Sequence, residues 1–387
     1  MRQRGLCFAA TVVAASLALT ACASSKKSTS TTSAGGGASA APDIANASSA
    51  AAIGGMDALI AAAKKEGTLN VIALPRNWTN YGALLDGFTK KYGLKINNAN
   101  PDGSSADEIT AIKSLRSQSR APDVVDVGQS FAISGAQDGL YAPYQVATWS
   151  DIPATLKEPT GLWTNDYGGY ISIGCDKGKI KAVCPTSIAE LNNPAFKGKL
   201  ALNGDPTKAN AAFSAVWAAA LAKGGSLDNI QPGIDFFATL KKAGIYVPIQ
   251  ATAATIESGE TPIVLNWDYL NASEADALKA KGRTFTVAVP KDAKYPAYYA
   301  QAISKFAPHP AAARLWEEYL YSPEGQNGWL QGYGRPAELA ALTTAKTVNA
   351  EFAAKLPTVE GTPTFPNADQ TTKAKGIVTQ NWAKAVK

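Results

Sequence analysis

Residues 68–97 read TLNVIALPRNWTNYGALLDGFTKKYGLKIN, and this stretch decides the fold class. Residues 68–74 are an apolar run of strand length that follows Gly67. From 81 to 92 the apolar positions Leu84, Leu85, Phe88 and Tyr92 have the spacing of one helix face, and Gly93 is placed to cap it. Residues 94–97 then open a second strand. Upstream, residues 58–65 read as a short helix closed by Gly67.

Downstream the alternation continues. Ser105 followed three residues later by Glu108 reads as a capping box, opening a helix with Ile109, Ile112 and Leu115 on one face. Pro122 ends it, 123–127 is a third strand, and 129–137 is a helix stopped by Gly139. A second set begins near Gly169, with strands at 170–175, 199–203, 262–266 and 285–289 and helices at 207–223, 234–242 and 269–281. A strand at 298–303, a helix at 310–321 and an amphipathic helix around 377–386 complete the chain. No internal repeat is present. The expected class is α/β, with mainly parallel sheets covered by helices.

Composition sets the limits. The chain has 387 residues, 46% hydrophobic and 18% charged, which suits two domains plus an unfolded segment. A net charge of +6 without a basic block argues against a nucleic-acid partner. The single histidine, His309, lies between Pro308 and Pro310 and is expected as surface punctuation at a helix start. That disfavours His-based metal sites and Ser–His or Cys–His nucleophiles. Gly-x-Ser-x-Gly, Gly-Lys-Ser/Thr and His-Glu-x-x-His are absent, and the one Ser-x-x-Lys, Ser24 to Lys27, lies outside the expected body. Neither a cofactor nor catalytic residues are expected.

The N-terminus reads as an address. Arg2 and Arg4 precede an apolar run over 6–19, and Leu19-Thr20-Ala21-Cys22 resembles the lipobox of bacterial lipoproteins. The expectation is a signal peptide at 1–21, lipid on Cys22, and a flexible Ser/Thr/Gly/Ala tether at 22–55. Cys7 would leave with the signal. Cys175 and Cys184 then remain as an expected local disulfide stapling a polar loop.

Several segments together carry a resemblance. Arg76-Asn77-Trp78-Thr79-Asn80-Tyr81 follows the first strand, and Pro122-Asp123-Val124-Val125 leads to Gly128-Gln129-Ser130. Pro185-Thr186-Ser187 precedes Phe196-Lys197-Gly198-Lys199-Leu200. Asn266-Trp267-Asp268-Tyr269 ends a later strand, and Ser322-Pro323-Glu324-Gly325-Gln326 follows the last long helix before residue 340. In this order, over 56 to about 340, the chain resembles the solute-binding lipoproteins of bacterial ABC importers. The branch is that of the spermidine/putrescine, ferric-iron, thiamine and phosphonate binders. The resemblance implies a type II periplasmic-binding-protein fold, with lobe 1 at 56–168 plus 291–330 and lobe 2 at 169–290 plus 331–387. It also implies an extracytoplasmic, membrane-anchored monomer that hands a small solute to a permease and ATPase.

Ligands of open α/β sheets sit beyond the carboxyl ends of strands. That rule nominates Arg76, Asn77 and Trp78, then Ser104 and Ser105, then Gln129, Ser130 and Phe131. From the second lobe it nominates Asp205, Thr207, Asn210, Trp267 and Asp268, with Tyr298, Tyr299 and Gln301 on the returning strand. Trp267-Asp268 has the chemistry of an ammonium site, a ring beside a carboxylate. The same pair also reads as a core tryptophan and a helix cap. In polyamine relatives the returning strand carries an acid where this chain has Ala300 and Gln301. Tyr298-Tyr299 invites a ferric reading, although neighbouring strand residues face opposite ways. Asp205-Pro206-Thr207 opens a helix and suits a phosphate or carboxylate. The expected ligand is a small charged organic solute: an amine, a polyamine-like compound or an aminoalkyl-phosphonate. A secreted hydrolase or transferase and a ferric-iron binder are the alternatives.

Overall fold

The computed structural model describes residues 43–357, 359 and 365–386. The signal peptide, Cys22 and most of the tether lie outside them. Where the sequence expects tether up to residue 55, the chain from Asp43 is already packed. Ala47, Ala50 and Ile53 are buried, and the Arg314 guanidinium donates to the Ala45 and Ala47 carbonyls. Small apolar side chains and one buried cation hold a segment whose composition alone reads as linker.

Strands β1 (Thr68–Ile72) and β2 (Lys95–Ala99) pair in parallel around the helix Tyr81–Tyr92, which buries Tyr81, Leu84, Leu85 and Phe88. The other strands form one sheet: β3 (Val124–Gly128), β4 (Tyr141–Ala142), β5 (Thr164–Asp176), β6 (Leu200–Leu202), β7 (Tyr246–Gln250), β8 (Ile263–Trp267), β9 (Phe285–Ala288), β10 (Pro296–Ser304) and β11 (Arg335–Pro336). Its path is β3-β10-β5-β8-β6-β7, with β4 on β10 and both β9 and β11 on β5. Asp123 ties β1 to the sheet: its N–H donates to the Asn70 carbonyl and its carboxylate accepts from the Asn70 N–H at 2.6 Å.

The class is α/β as expected, and the sheet is mixed. β6 is parallel to β7 and β8, whereas β10 is antiparallel to β3, β4 and β5, and β5 is antiparallel to β8, β9 and β11. β9 and β10 are both antiparallel to β5 and so run the same way, and the short link 289–295 between them needs no crossover because they pair with different parts of β5. β5 starts earlier than the sequence suggests, because Thr164, Asn165, Asp166, Gly168 and Gly169 have no apolar signature. This one strand carries two groups of strands. Its first part pairs with β10 and β11, its second with β8 and β9.

Further elements lock the two groups. The helix Asn210–Ala222 is apolar all round and buried throughout its first eleven residues. It starts later than the expected 207, because Asp205 accepts from both the N–H and the hydroxyl of Thr207 and holds that residue in a turn. The helix Ala368–Ala385 packs on both Gln129–Gln137 and Gln231–Lys242, so it touches both groups. Cys175 and Cys184 form the expected disulfide, with Cα atoms 5.9 Å apart. Closing so short a loop is worth roughly 2–3 kcal/mol.

His309 departs from its expected role. It precedes the helix Pro310–Leu320 as foreseen, but its Nδ1 lies 2.9 Å from the buried Asp123 carboxylate. The ring is an internal brace, because Asp123 otherwise lacks a cationic neighbour.

Candidate functional site

A cavity of about 720 Å³ opens between the two strand groups. Its walls come from strand exits, where the chain leaves the sheet and polar side chains are free to converge. The β1 exit supplies Asn77 and Trp78. Ala73, Thr79 and Asn80 there take left-handed backbone angles (φ 57°, 43° and 65°), which folds the loop tightly. The Trp78 Nε1–H donates to the Tyr167 hydroxyl at 2.7 Å, and the indole meets Tyr299 edge-on at 5.8 Å. Tyr299 in turn stacks on Tyr167 at 5.7 Å. Gly128 marks a close approach of the groups: a Cβ there would fall 2.1 Å from the Asn210 Cγ.

The cavity floor is acidic. Asp126, on β3, is buried, and its Oδ2 accepts from the hydroxyls of Tyr81 (2.6 Å) and Tyr167 (3.1 Å). Its Oδ1 has no protein partner. Its N–H donates to Glu108 Oε2 at 2.9 Å, which brings a second buried carboxyl against it. A third, Asp166, lies just behind and accepts from Gln301 Nε2 at 3.0 Å and from the Tyr167 N–H. Burial pushes the Asp126 carboxyl up to about 7, against the opposing pull of the Tyr81 and Tyr167 hydrogen bonds. Burial raises Glu108 and Asp166 well above the usual carboxylate range, and the nearby Asp126 charge adds to both shifts. Among the described residues, no salt bridge reaches any of the three.

Of the residues nominated from the sequence, Asn77, Trp78, Ser104, Ser105, Asp205, Asn210 and Tyr299 line this cavity. Arg76 turns outward, paired with Asp86 at 2.5 Å on the surface. Thr207 is occupied by Asp205. Gln129, Ser130 and Tyr298 line a separate cavity of about 70 Å³, shared with Asn210, so Tyr298 and Tyr299 do face opposite ways. Phe131 lies under the Lys375 ammonium, 3.9 Å from its ring centre. Gln301 is buried behind the floor.

Trp267 and Asp268 are not brought to the cavity. Trp267 is fully buried and stacks on Tyr269 at 6.1 Å. Asp268 begins the helix Asp268–Lys279. Its Oδ1 accepts from the Tyr170 and Tyr269 N–H groups, each at 3.0 Å, and its Oδ2 accepts from Arg335 at 2.6 Å. Gly169 permits this, since a Cβ there would lie 2.2 Å from the Asp268 carboxylate. A cation supplied by β11 fills the place that the sequence reading reserved for a ligand.

Glu108, Asp126, Tyr81 and Tyr167 were not nominated. The box opening the helix Ser105–Leu115 is shifted by one residue: Ser104 is the cap, and its N–H donates to Asp107 at 2.8 Å. Glu108 is thereby released to face inward, and Ser105 Oγ accepts from the Gly128 N–H. The available clue to Asp126 was an acid inside an otherwise apolar strand, Val124-Val125-Asp126-Val127.

Among the described residues, no group of three or more His, Cys, Asp or Glu is disposed to hold a metal ion, and no helix is long and apolar enough to cross a membrane.

Comparison with known proteins agrees with this geometry. The family model described as bacterial extracellular solute-binding protein matches residues 119–360, more than half of the chain. A curated relative, iron uptake protein A1 of Synechocystis, is 24% identical over 281 residues, covering 70% of this chain and 76% of that protein. Among solved structures, the periplasmic binding protein AfuA of Actinobacillus pleuropneumoniae, with fructose-6-phosphate bound, has a TM-score of 0.67 at 18% identity. It covers 83% of this chain and 99% of its own. The Atu4243-GABA receptor has a TM-score of 0.60 at 19% identity, covering 83% and 98%. At these identities the structures establish the fold, that of the type II periplasmic binding proteins.

Proposed function

The chain belongs to the bacterial extracellular solute-binding proteins, and from that premise we propose that its cleft captures a small organic solute bearing an ammonium group. It is an extracytoplasmic binding protein of an ABC importer, in a family that binds solutes rather than transforming them. In this reading the strands β1 to β4 and β10 form one lobe and β6 to β9 the other. The lobes hinge at β5 and at residues 289–295 and close on the solute. We place the beginning of the first lobe at Asp43, and a lipid on Cys22 would tether this monomeric receptor near its permease and ATPase.

The observation that supports the amine is the charge of the cavity wall. Asp102, Asp107, Asp205 and Glu274 line it above the buried floor acids Glu108 and Asp126, against, among the described residues, one cationic side chain, Lys208. Such a surface concentrates cations, and Trp78, Tyr81 and Tyr299 add aromatic faces. A charge-assisted hydrogen bond to a floor carboxylate is worth about 1.5–3 kcal/mol. Opposite the floor, the helix Asn210–Ala222 begins without a side-chain cap, and the buried Asn210 Nδ2 makes no hydrogen bond of normal geometry. That end suits the anionic group of an amino-acid-like or aminoalkyl-phosphonate solute, while a polyamine would use the acids alone.

A ferric ion is the second reading, favoured by the convergence of the Tyr81 and Tyr167 phenols on Asp126 and by the unpartnered Tyr269 hydroxyl. The cavity is far larger than an ion. Burial also pushes these phenols well above their ordinary values, which opposes the phenolate form.

A thermal-shift screen of amines, polyamines, amino acids, aminoalkyl-phosphonates, sugar phosphates and ferric nitrilotriacetate tests the reading. Amine-bearing compounds should raise the melting temperature. A shift with sugar phosphates alone, or a visible phenolate–iron band on adding the ferric complex, would count against it.

A further inference from the structure

We propose that Asp126, backed by Glu108, is a proton-exchanging cation subsite: the floor holds a proton when the cleft is empty and gives it up as an ammonium group enters. This deepens the amine reading and rests on it.

The argument begins with what surrounds Asp126. Tyr81 approaches from the helix Tyr81–Tyr92, and Glu108, with Asp107 one residue before it, from the helix Ser105–Leu115. Asp166 and Tyr167 come from β5, Tyr299 from β10, Tyr269 from the helix Asp268–Lys279, and Tyr321 from the residue after Pro310–Leu320. All of these are carboxyls or phenols. The one cation of the cavity wall among the described residues, Lys208, is exposed and acts on Asp107 instead. A carboxylate buried at 5% exposure beside two other buried acids has no compensating charge among the described residues, so the neutral form is favoured while the cleft is empty.

The two oxygens of Asp126 differ. Oδ2 is held by two phenol hydroxyls, which fixes the carboxyl plane, and Oδ1 has no protein partner. Asp166 is enclosed by Gln301 and the Tyr167 N–H and stands as a further buried acid behind the floor without lining the cavity. When an ammonium group arrives, the carboxyl O–H bond breaks, its electron pair stays on the oxygen, and the proton leaves to bulk solvent. The ammonium keeps its three protons and becomes the counter-ion, so the floor's net charge is unchanged. Capture should therefore tighten as pH rises towards neutrality, by up to about tenfold per pH unit for one linked proton.

Two measurements on the full chain decide the matter. The first needs no ligand: the Asp126 carboxyl carbon, labelled with ¹³C and assigned by its loss in Asp126→Asn, is followed by NMR against pH. The inference requires its midpoint to lie well above the ordinary aspartate range; titration near 4 overturns it. The second is calorimetry with 1,4-diaminobutane and 2-aminoethylphosphonate, at pH 6 and 8.5, in buffers of different protonation enthalpy. Expected are release of close to one proton at pH 6, almost none at 8.5, and loss of the release in Asp126→Asn. Amine binding without proton release, or with release that survives Asp126→Asn, overturns this inference and leaves the receptor reading standing. If neither amine binds while a solute without an ammonium group does, the amine reading falls and this inference falls with it.

Discussion

Asp126 and Asp268 occupy comparable places in the two strand groups, one on the third strand and one at the exit of the eighth, and both are buried. Their partners differ. Asp268 receives a guanidinium and two backbone N–H groups, so its charge is satisfied within the protein. Asp126 receives two phenols and faces two further carboxyls, with one oxygen left without a protein partner. An acid next to a tryptophan at a strand exit looks like a ligand contact in sequence, and a distant Arg335 can turn it into a structural pair. An acid that no cation reaches leaves room for a cationic guest.

The largest expected effect tests the satisfied side of this contrast. Arg335→Met strands a buried carboxylate and should cost about 3–5 kcal/mol of stability, measured by urea unfolding. Unfolding unchanged from the parent would mean that the Asp268 pair contributes little and that the contrast is false.

Asp126→Asn comes next and should separate binding from folding. Amine affinity should fall roughly 10–100-fold, matching the 1.5–3 kcal/mol of a charged hydrogen bond. Stability should respond through pH. Because the folded Asp126 binds its proton more tightly than the unfolded chain does, its contribution is fully present below pH 4 and is lost as pH climbs through about 7. The Asn variant should flatten that fall, which unfolding curves at pH 4, 5.5 and 7.5 will show. An unchanged slope would place the proton elsewhere.

His309 offers a smaller, cleaner titration, since the chain has no other histidine. Its side-chain bond to Asp123 raises the imidazole above its ordinary value. The raised direction makes its stabilisation complete below the unfolded value near 6.5 and lost as pH rises through the folded value. An NMR titration should give a midpoint above 6.5, and Asp123→Asn should lower it.

The smallest effect belongs to Lys375, whose ammonium lies over the Phe131 and Phe213 rings without a hydrogen-bond partner. Burial lowers its pKa to about 8, so below that pH the folded protein carries an unfavourable charge. Lys375→Met should leave stability at pH 6 unchanged or raise it by up to about 1 kcal/mol. A marked loss would make the cation–π contact an essential clamp between the two groups.

Much of the architecture was legible because periodicity is local. The helices Tyr81–Tyr92 and Gln129–Gln137 match their expected bounds, and the order of strands and helices places the cavity at the strand exits. Trp78, Ser104, Ser105, Asn210 and Tyr299 were reachable by that rule alone. What was hidden depends on contacts distant in sequence. Nothing near Asp268 announces Arg335, and nothing near Asp126 announces Tyr167. The one-residue shift from Ser105 to Ser104 in the capping box was enough to conceal Glu108, since a box acid and an inward-facing acid differ only in register. The early start of β5 was hidden for the opposite reason, its first residues being polar and glycine-rich yet buried.

The position of the solute nitrogen tests the account most directly. In a crystal structure grown with the tightest-binding amine from the screen, the ammonium nitrogen should lie about 2.7–2.9 Å from Asp126 Oδ1 and close to the Trp78 and Tyr299 rings. Asp268 should remain paired with Arg335. A nitrogen bound at Asp268 with Arg335 displaced, or an anionic group resting on the Asp126–Glu108 floor, would contradict it.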